Sequence, residues 1–99
     1  MKQLIWLTAA LAIATGIQTA HARAGLNVIT TSEALAALVR EVGGDKVSVE
    51  ALARGYQDPH FVEAKPSFVL KLHSADLLVV VGRELEMGWL PPLITQSRN

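Results

Sequence analysis

The sequence predicts an α/β fold, a parallel sheet flanked by helices. Two observations carry that prediction. Past residue 25, short apolar stretches rich in β-branched residues alternate with stretches of helical periodicity, in the order strand, helix, strand, helix, strand. The last strand-like run, Leu77-Leu78-Val79-Val80-Val81, has no polar residue at alternate positions, as in a parallel-sheet strand covered on both faces. Right-handed crossovers would then join the strands.

Residues 1–22 stand apart from this pattern. Lys2 gives a positive start, residues 4–17 form an apolar run, and Ala20-His21-Ala22 places small residues at both cleavage-determining positions. That is the layout of a secretory signal peptide, with Arg23 as the mature start. A membrane anchor is the alternative, but the apolar core is too short for one and lacks a stop-transfer flank. His21 leaves with the signal. With no cysteine in the chain, lipid attachment through an N-terminal cysteine is excluded, and the expected product is a soluble protein in the periplasm of a double-membraned bacterium.

Residues 23–99 allow one small domain. Within them acidic side chains outnumber basic ones by one, which argues against a nucleic-acid partner needing a basic surface. The absence of cysteine excludes both a Cys-rich metal cluster and the disulfides with which small exported domains usually supplement a thin core. The chain reads as an economical domain or as part of a larger one. Its final stretch Leu93-Ile94-Thr95-Gln96-Ser97-Arg98-Asn99, which has no helix-terminating glycine, favours the second.

Taken in order, residues 26–30 give the first strand. Thr30 and Glu33 stand three apart, like the two ends of a capping box. Leu35, Leu38, Val39 and Val42 follow at helical spacing as a core face, and Gly43-Gly44 supplies the stop. Val47, Val49 and Ala51 alternate with Ser48 and Glu50, a strand with one face partly wet. Residues 54–63 form a loop rich in turn formers. Pro66 suits a first helical position, with Phe68, Val69 and Leu72 as the apolar face. The run 77–81 is closed by Gly82, and Pro91-Pro92 opens a last helix over 93–98.

Ligands of an open parallel sheet bind beyond the carboxyl ends of its strands. Three loops are expected there: Thr30-Thr31-Ser32, residues 54–60, and Gly82-Arg83-Glu84. The second carries Asp58-Pro59-His60. Pro59 fixes its own φ and biases Asp58 toward extended geometry, so little entropy is spent in positioning the imidazole. Neutral imidazole is the commonest protein metal ligand, and Asp58 is placed to orient the ring. A loop histidine capping the next helix is the competing reading, and spacing alone favours it, because a closed metal site needs several protein ligands.

Other residues read more plainly. His73, near the end of the Pro66 helix, suits an interaction with terminal carbonyls and not a ligand role. Glu84 and Glu86 read as a solvated pair, and Tyr56 and Trp89 as packing residues at the surface. Gly43-Gly44 ends a helix and does not begin one, so no phosphate loop is present. A nucleophile elbow and a Cys–His pair are also missing from the sequence. The chain is expected not to be an enzyme. Two competing functions stay open: a small exported metalloenzyme with His60 as ligand and Glu84 or Glu86 as base, and a non-functional remnant or interaction module.

One stretch is more specific in combination. Tyr56-Gln57-Asp58-Pro59-His60-Phe61-Val62-Glu63-Ala64-Lys65-Pro66-Ser67, then Leu70-Lys71-Leu72-His73-Ser74-Ala75-Asp76-Leu77-Leu78-Val79-Val80-Val81-Gly82, then Glu86 and Trp89-Leu90, resembles the metal-binding receptors of bacterial ABC importers. These are the cluster A-I solute-binding proteins for zinc, manganese or iron. Val28-Ile29-Thr30-Thr31 and Gly43-Gly44-Asp45 are similar to the family's first strand and first helix end. The resemblance implies a two-lobed receptor with an α/β sandwich in each lobe and a long helix between them, of which residues 23–99 would be the truncated N-terminal lobe. It implies a divalent metal, zinc first and manganese second, held between the lobes and handed to an ABC permease in the inner membrane. It assigns His60 as the first metal ligand, with Asp58 and Pro59 positioning the loop. The remaining ligands would come from a C-terminal lobe, and His73 inherits no ligand role.

Overall fold

The computed structural model describes residues 25–99, so the expected signal segment lies outside the described residues. The elements are β1 (Leu26–Thr30), α1 (Glu33–Gly43), β2 (Val47–Ala51), α2 (Pro66–Ser74), β3 (Leu77–Val79) and α3 (Leu90–Ser97), with one 3₁₀ turn at Gly44–Lys46 between α1 and β2. The three strands form a parallel sheet in the order β2-β1-β3. Leu26 pairs with Val47 and Thr30 with Ala51 on one side of β1; Val28 pairs with Leu77 and Thr30 with Val79 on the other. The fold is the expected α/β arrangement, a parallel sheet flanked by helices.

Alternation along β1 divides the layers. Ile29 turns toward α2 and α3, where it joins Leu52, Ala53, Val62, Phe68, Leu72, Trp89, Leu90 and Leu93 in one buried cluster. Val28 turns to the opposite face, alongside Leu35 and Val39 of α1. The α2 face therefore holds the core, and it holds the expected Phe68 and Leu72, with Val69 packed against them.

The α1 face departs from expectation. Ala36 is the residue of α1 that is buried, while Leu38 is 63% and Val42 90% exposed. A small side chain lets the helix sit flat on the sheet. The larger stripe of Leu35, Leu38, Val39 and Val42 then faces sideways, over an apolar hollow floored by Leu26, Val28, Val47, Leu77 and Val79. The same hollow corrects the reading of the 77–81 run. The strand is only Leu77–Val79, with Leu77, Val80 and Val81 exposed. It pairs with β1 alone among the described strands, and helices cover it on Leu78's side only.

Helix ends also differ in detail. The N-cap of α1 is Ser32, in extended geometry, whose Oγ accepts from the Leu35 amide at 3.3 Å. Thr30 instead ends β1, and its hydroxyl donates to the Ser32 carbonyl at 2.9 Å; the capping residue must immediately precede the first helical residue, Glu33. α3 begins at Leu90, with Pro91 and Pro92 in its first turn, where a missing amide hydrogen costs nothing. It ends on left-handed Arg98 (φ 52°). The Asn99 side-chain Nδ2 then donates to the Leu72 and Ala75 carbonyls, 2.7 Å each, capping α2. His73 lies 2.7 Å from the Ser97 carbonyl through Nδ1. It does bind a terminal carbonyl, but one belonging to α3 and not to its own helix. Among the described residues no helix is long and apolar enough to cross a membrane.

Candidate functional site

The ladder of the sheet continues past the strand ends and draws the three expected loops together. The Leu52 and Ala53 amides donate to the Thr30 and Thr31 carbonyls at 2.8 and 3.1 Å, and the Thr31 amide donates to the Val79 carbonyl at 3.1 Å. At the same edge a carboxylate that the sequence placed in water is buried. Glu86 is 5% exposed. Its Oε1 accepts from the Thr31 hydroxyl at 2.7 Å and the Val81 amide at 2.6 Å, and Oε2 accepts from the Gly82 amide at 3.1 Å.

Burial alone would raise the Glu86 pKa; the bonds from Thr31, Val81 and Gly82 outweigh it and hold the carboxyl below its ordinary value. The backbone around this anchor is unusual. Gly82, Arg83 and Glu84 in succession have positive φ, 80°, 53° and 68°, a conformation costly for Arg and Glu and sustained only where the surroundings over-determine it. Glu84 is exposed while Glu86 is buried, so the two acids do not form a pair. With three donors already on its two oxygens, Glu86 is not free to act as a base.

The loop after β2 is braced from within. The Arg54 amide donates to Gln57 Oε1 at 2.7 Å, the Gln57 amide to the Arg54 carbonyl at 2.9 Å, and the Phe61 amide to the Asp58 carbonyl at 3.0 Å. Asp58 Oδ1 lies 2.9 Å from the His60 amide nitrogen and 2.8 Å from His60 Nδ1. The bond from the His60 amide, then that from its ring, lower the Asp58 pKa, so the group is a carboxylate at neutral pH. A carboxylate only accepts, which puts a ring proton on Nδ1 and makes Nε2 the nitrogen available for ligation in the neutral tautomer. The His60 side chain is 57% exposed. With Nδ1 held by Asp58, the exposed ring has Nε2 left as its ligating nitrogen at the carboxyl edge of the sheet.

Trp89 is buried and its indole N–H donates to the Pro59 carbonyl at 2.8 Å. Tyr56 and Phe61 are 86% and 83% exposed, against the packing reading of Tyr56. Among the described residues no group of three or more His, Cys, Asp or Glu side chains is placed to hold a metal ion. The site contributes a single oriented imidazole.

The sequence reading placed Thr31 on an edge loop and Glu86 in a solvated pair, and missed that both are buried and bonded to each other. The available signal was the apolar company of Glu86, between Leu85 and Met87 and ahead of Trp89-Leu90, a setting in which an acid is seldom left in water.

The family model for the zinc-uptake complex component A, periplasmic (ZnuA), matches residues 28–99. The chain belongs to this family. Among curated relatives, the manganese ABC transporter substrate-binding lipoprotein PsaA of Streptococcus pneumoniae is 34% identical over 77 residues, covering 75% of this chain and 25% of the relative. The metal ABC transporter substrate-binding lipoprotein ScbA of Streptococcus cristatus is 33% identical with the same coverage. The crystal structure of Zn(II)-bound AdcA from Streptococcus pneumoniae superposes with a TM-score of 0.62 at 30% identity, covering 75% of this chain and 16% of that one. The chain thus spans about a quarter of the length of these curated relatives. The family is that of a solute-binding transport component and not of an enzyme.

Proposed function

We propose that the protein is the periplasmic receptor of an ABC importer, that it captures a divalent transition metal, and that His60 supplies one ligand through Nε2. The observation that carries this reading is the Asp58–His60 contact, which occupies Nδ1 of an exposed ring and leaves Nε2 for a metal in a chain of this family. Zinc is proposed ahead of manganese: the family description names zinc uptake, and imidazole suits zinc, whereas manganese favours carboxylate, carbonyl and water. PsaA is named for manganese, which keeps that metal as the second candidate.

In this reading residues 1–22 are the signal peptide and residues 23–99 an N-terminal lobe. The other ligands lie on a second lobe, and the loaded receptor docks on an inner-membrane permease. Asp58 fixes the ring tautomer and Pro59 stiffens the loop. Affinity comes from ligands converging, since one imidazole alone binds metal weakly.

The test uses the longest open reading frame that contains these residues. Zinc and manganese are titrated calorimetrically into the unaltered protein and into His60→Ala. Loss of a ligand should weaken binding by at least about tenfold, the lower end of what losing even an outer-shell partner costs. Unchanged affinity would overturn the assignment.

A further inference from the structure

We infer that Trp89 is a positioning residue for the His60 imidazole. The inference rests on the His60 reading above and adds to it the device that aims the ring. The peptide plane joining Pro59 to His60 is held at both of its polar ends. Its carbonyl accepts from the Trp89 indole N–H at 2.8 Å, and its amide donates to Asp58 Oδ1 at 2.9 Å. The Pro59 ring fixes the preceding φ. With ψ of Pro59 and φ of His60 set by the plane, the remaining freedom is the two side-chain torsions, and the 2.8 Å contact of Nδ1 with the same Asp58 oxygen takes those.

The indole is itself rigidly placed. Trp89 is 5% exposed and belongs to the buried cluster. The turn that delivers it is closed by the Trp89 amide on the Glu86 carbonyl at 3.2 Å and by the Leu90 amide on the same oxygen at 3.0 Å. Glu86 is in turn anchored through its carboxylate to the loops after β1 and β3. From the other side, a Cβ at Gly88 would stand 3.3 Å from the His60 carbonyl oxygen, so the two loops run in close contact. A line of contacts therefore runs from the sheet edge through Glu86 and Trp89 to the ring, and the ring's direction depends on the core and not on its own loop alone.

Removing only the N–H, with Trp89→Phe, should free the peptide plane and loosen the Nδ1 contact. The readout is the ¹⁵N–¹H correlation pattern of the His60 ring at a pH where it is neutral, which distinguishes the Nδ1–H from the Nε2–H tautomer. The unaltered chain should show Nδ1–H alone. Trp89→Phe, with its fold checked by the backbone spectrum, should show a mixture of both, and zinc affinity in the longer reading frame should fall by about tenfold. A folded variant that keeps the Nδ1–H pattern overturns the inference. A second measurement needs no variant: the Trp89 indole hydrogen in the unaltered chain should exchange far more slowly than in free tryptophan, and exchange at the free rate overturns the inference. Zinc added to the longer reading frame separates the two claims. If the His60 ring signals do not move, the ligand assignment fails, while a changed tautomer in Trp89→Phe still supports positioning by Trp89.

Discussion

Replacing Glu86 by alanine removes the acceptor for three donors at once, and its cost follows from their burial. Thr31 is wholly buried, so its hydroxyl is left without a partner. The Val81 and Gly82 amides lie nearer the surface and recover water. A hydrogen bond to a charged group contributes about 1.5–3 kcal/mol, and three bonds sharing one carboxylate do not sum. Glu86→Ala is therefore expected to cost roughly 2–4 kcal/mol, chiefly the Thr31 bond and the stranded hydroxyl. At roughly 0.05–0.15 kcal/mol per residue, a domain of this length is stable by on the order of 4–11 kcal/mol, so the loss is large. Glu86→Gln keeps an acceptor at the Oε1 position for Thr31 and Val81 but turns a donor toward the Gly82 amide; about half the alanine cost is expected.

The assay is urea unfolding followed by Trp89 fluorescence, read as a shift in midpoint at constant slope. Acid supplies an independent check. Because the folded pKa of Glu86 lies below its ordinary 4.5, the unfolded state takes up the proton first as pH falls. The carboxylate's contribution is thus complete above about pH 4.5 and is lost as pH falls through the folded value. The stability of Glu86→Gln should decline less steeply over that window. A shift for Glu86→Ala within about 0.5 kcal/mol, the range of ordinary surface substitutions, would refute the buried anchor.

Further outcomes test the fold. Leu38→Lys and Val42→Glu, at exposed positions of the α1 stripe, should change stability by no more than about 0.5 kcal/mol while reducing binding of an apolar dye; a loss like that of a core residue would restore the core-face reading. Phe68→Ala, in the buried cluster, should cost about 3–5 kcal/mol in the same urea assay. Gly25 has φ 34°, and a Cβ there would stand 2.4 Å from the Lys46 carbonyl oxygen. Gly25→Ala should therefore destabilise by more than about 1 kcal/mol, and a neutral result would mean that β1 enters the sheet differently.

What the sequence made legible was local. Strand order along the chain, the Gly43-Gly44 stop, Pro66 in a first helical position and the Phe68–Leu72 face all follow from neighbours within one or two turns. The Asp58–His60 contact is also short-range and could be anticipated from the Asp-Pro-His spacing. What escaped was long-range. Glu86 is satisfied by Thr31, 55 residues away, and the Trp89 indole by Pro59, 30 residues away; no periodicity encodes either pairing. The helix stripe of Leu35, Leu38, Val39 and Val42 failed for another reason. Periodicity says that a face is apolar but not which residue meets the sheet, and Ala36, a small residue outside that stripe, takes the place.

The strand synthesised first is the one that ends up in the middle. β1 has neighbours on both sides, and both come later in the chain, the second only when Val28 meets Leu77. Early intermediates must therefore carry β1 with an open edge until Leu77–Val79 has been made, and closing so long a loop is slow compared with forming a helix. Throughout that interval the bare edge is a template for pairing with another copy. Any chaperone or refolding protocol that protects this polypeptide must act before β3 arrives, and a nascent chain halted short of Leu77 is the species to watch for aggregation.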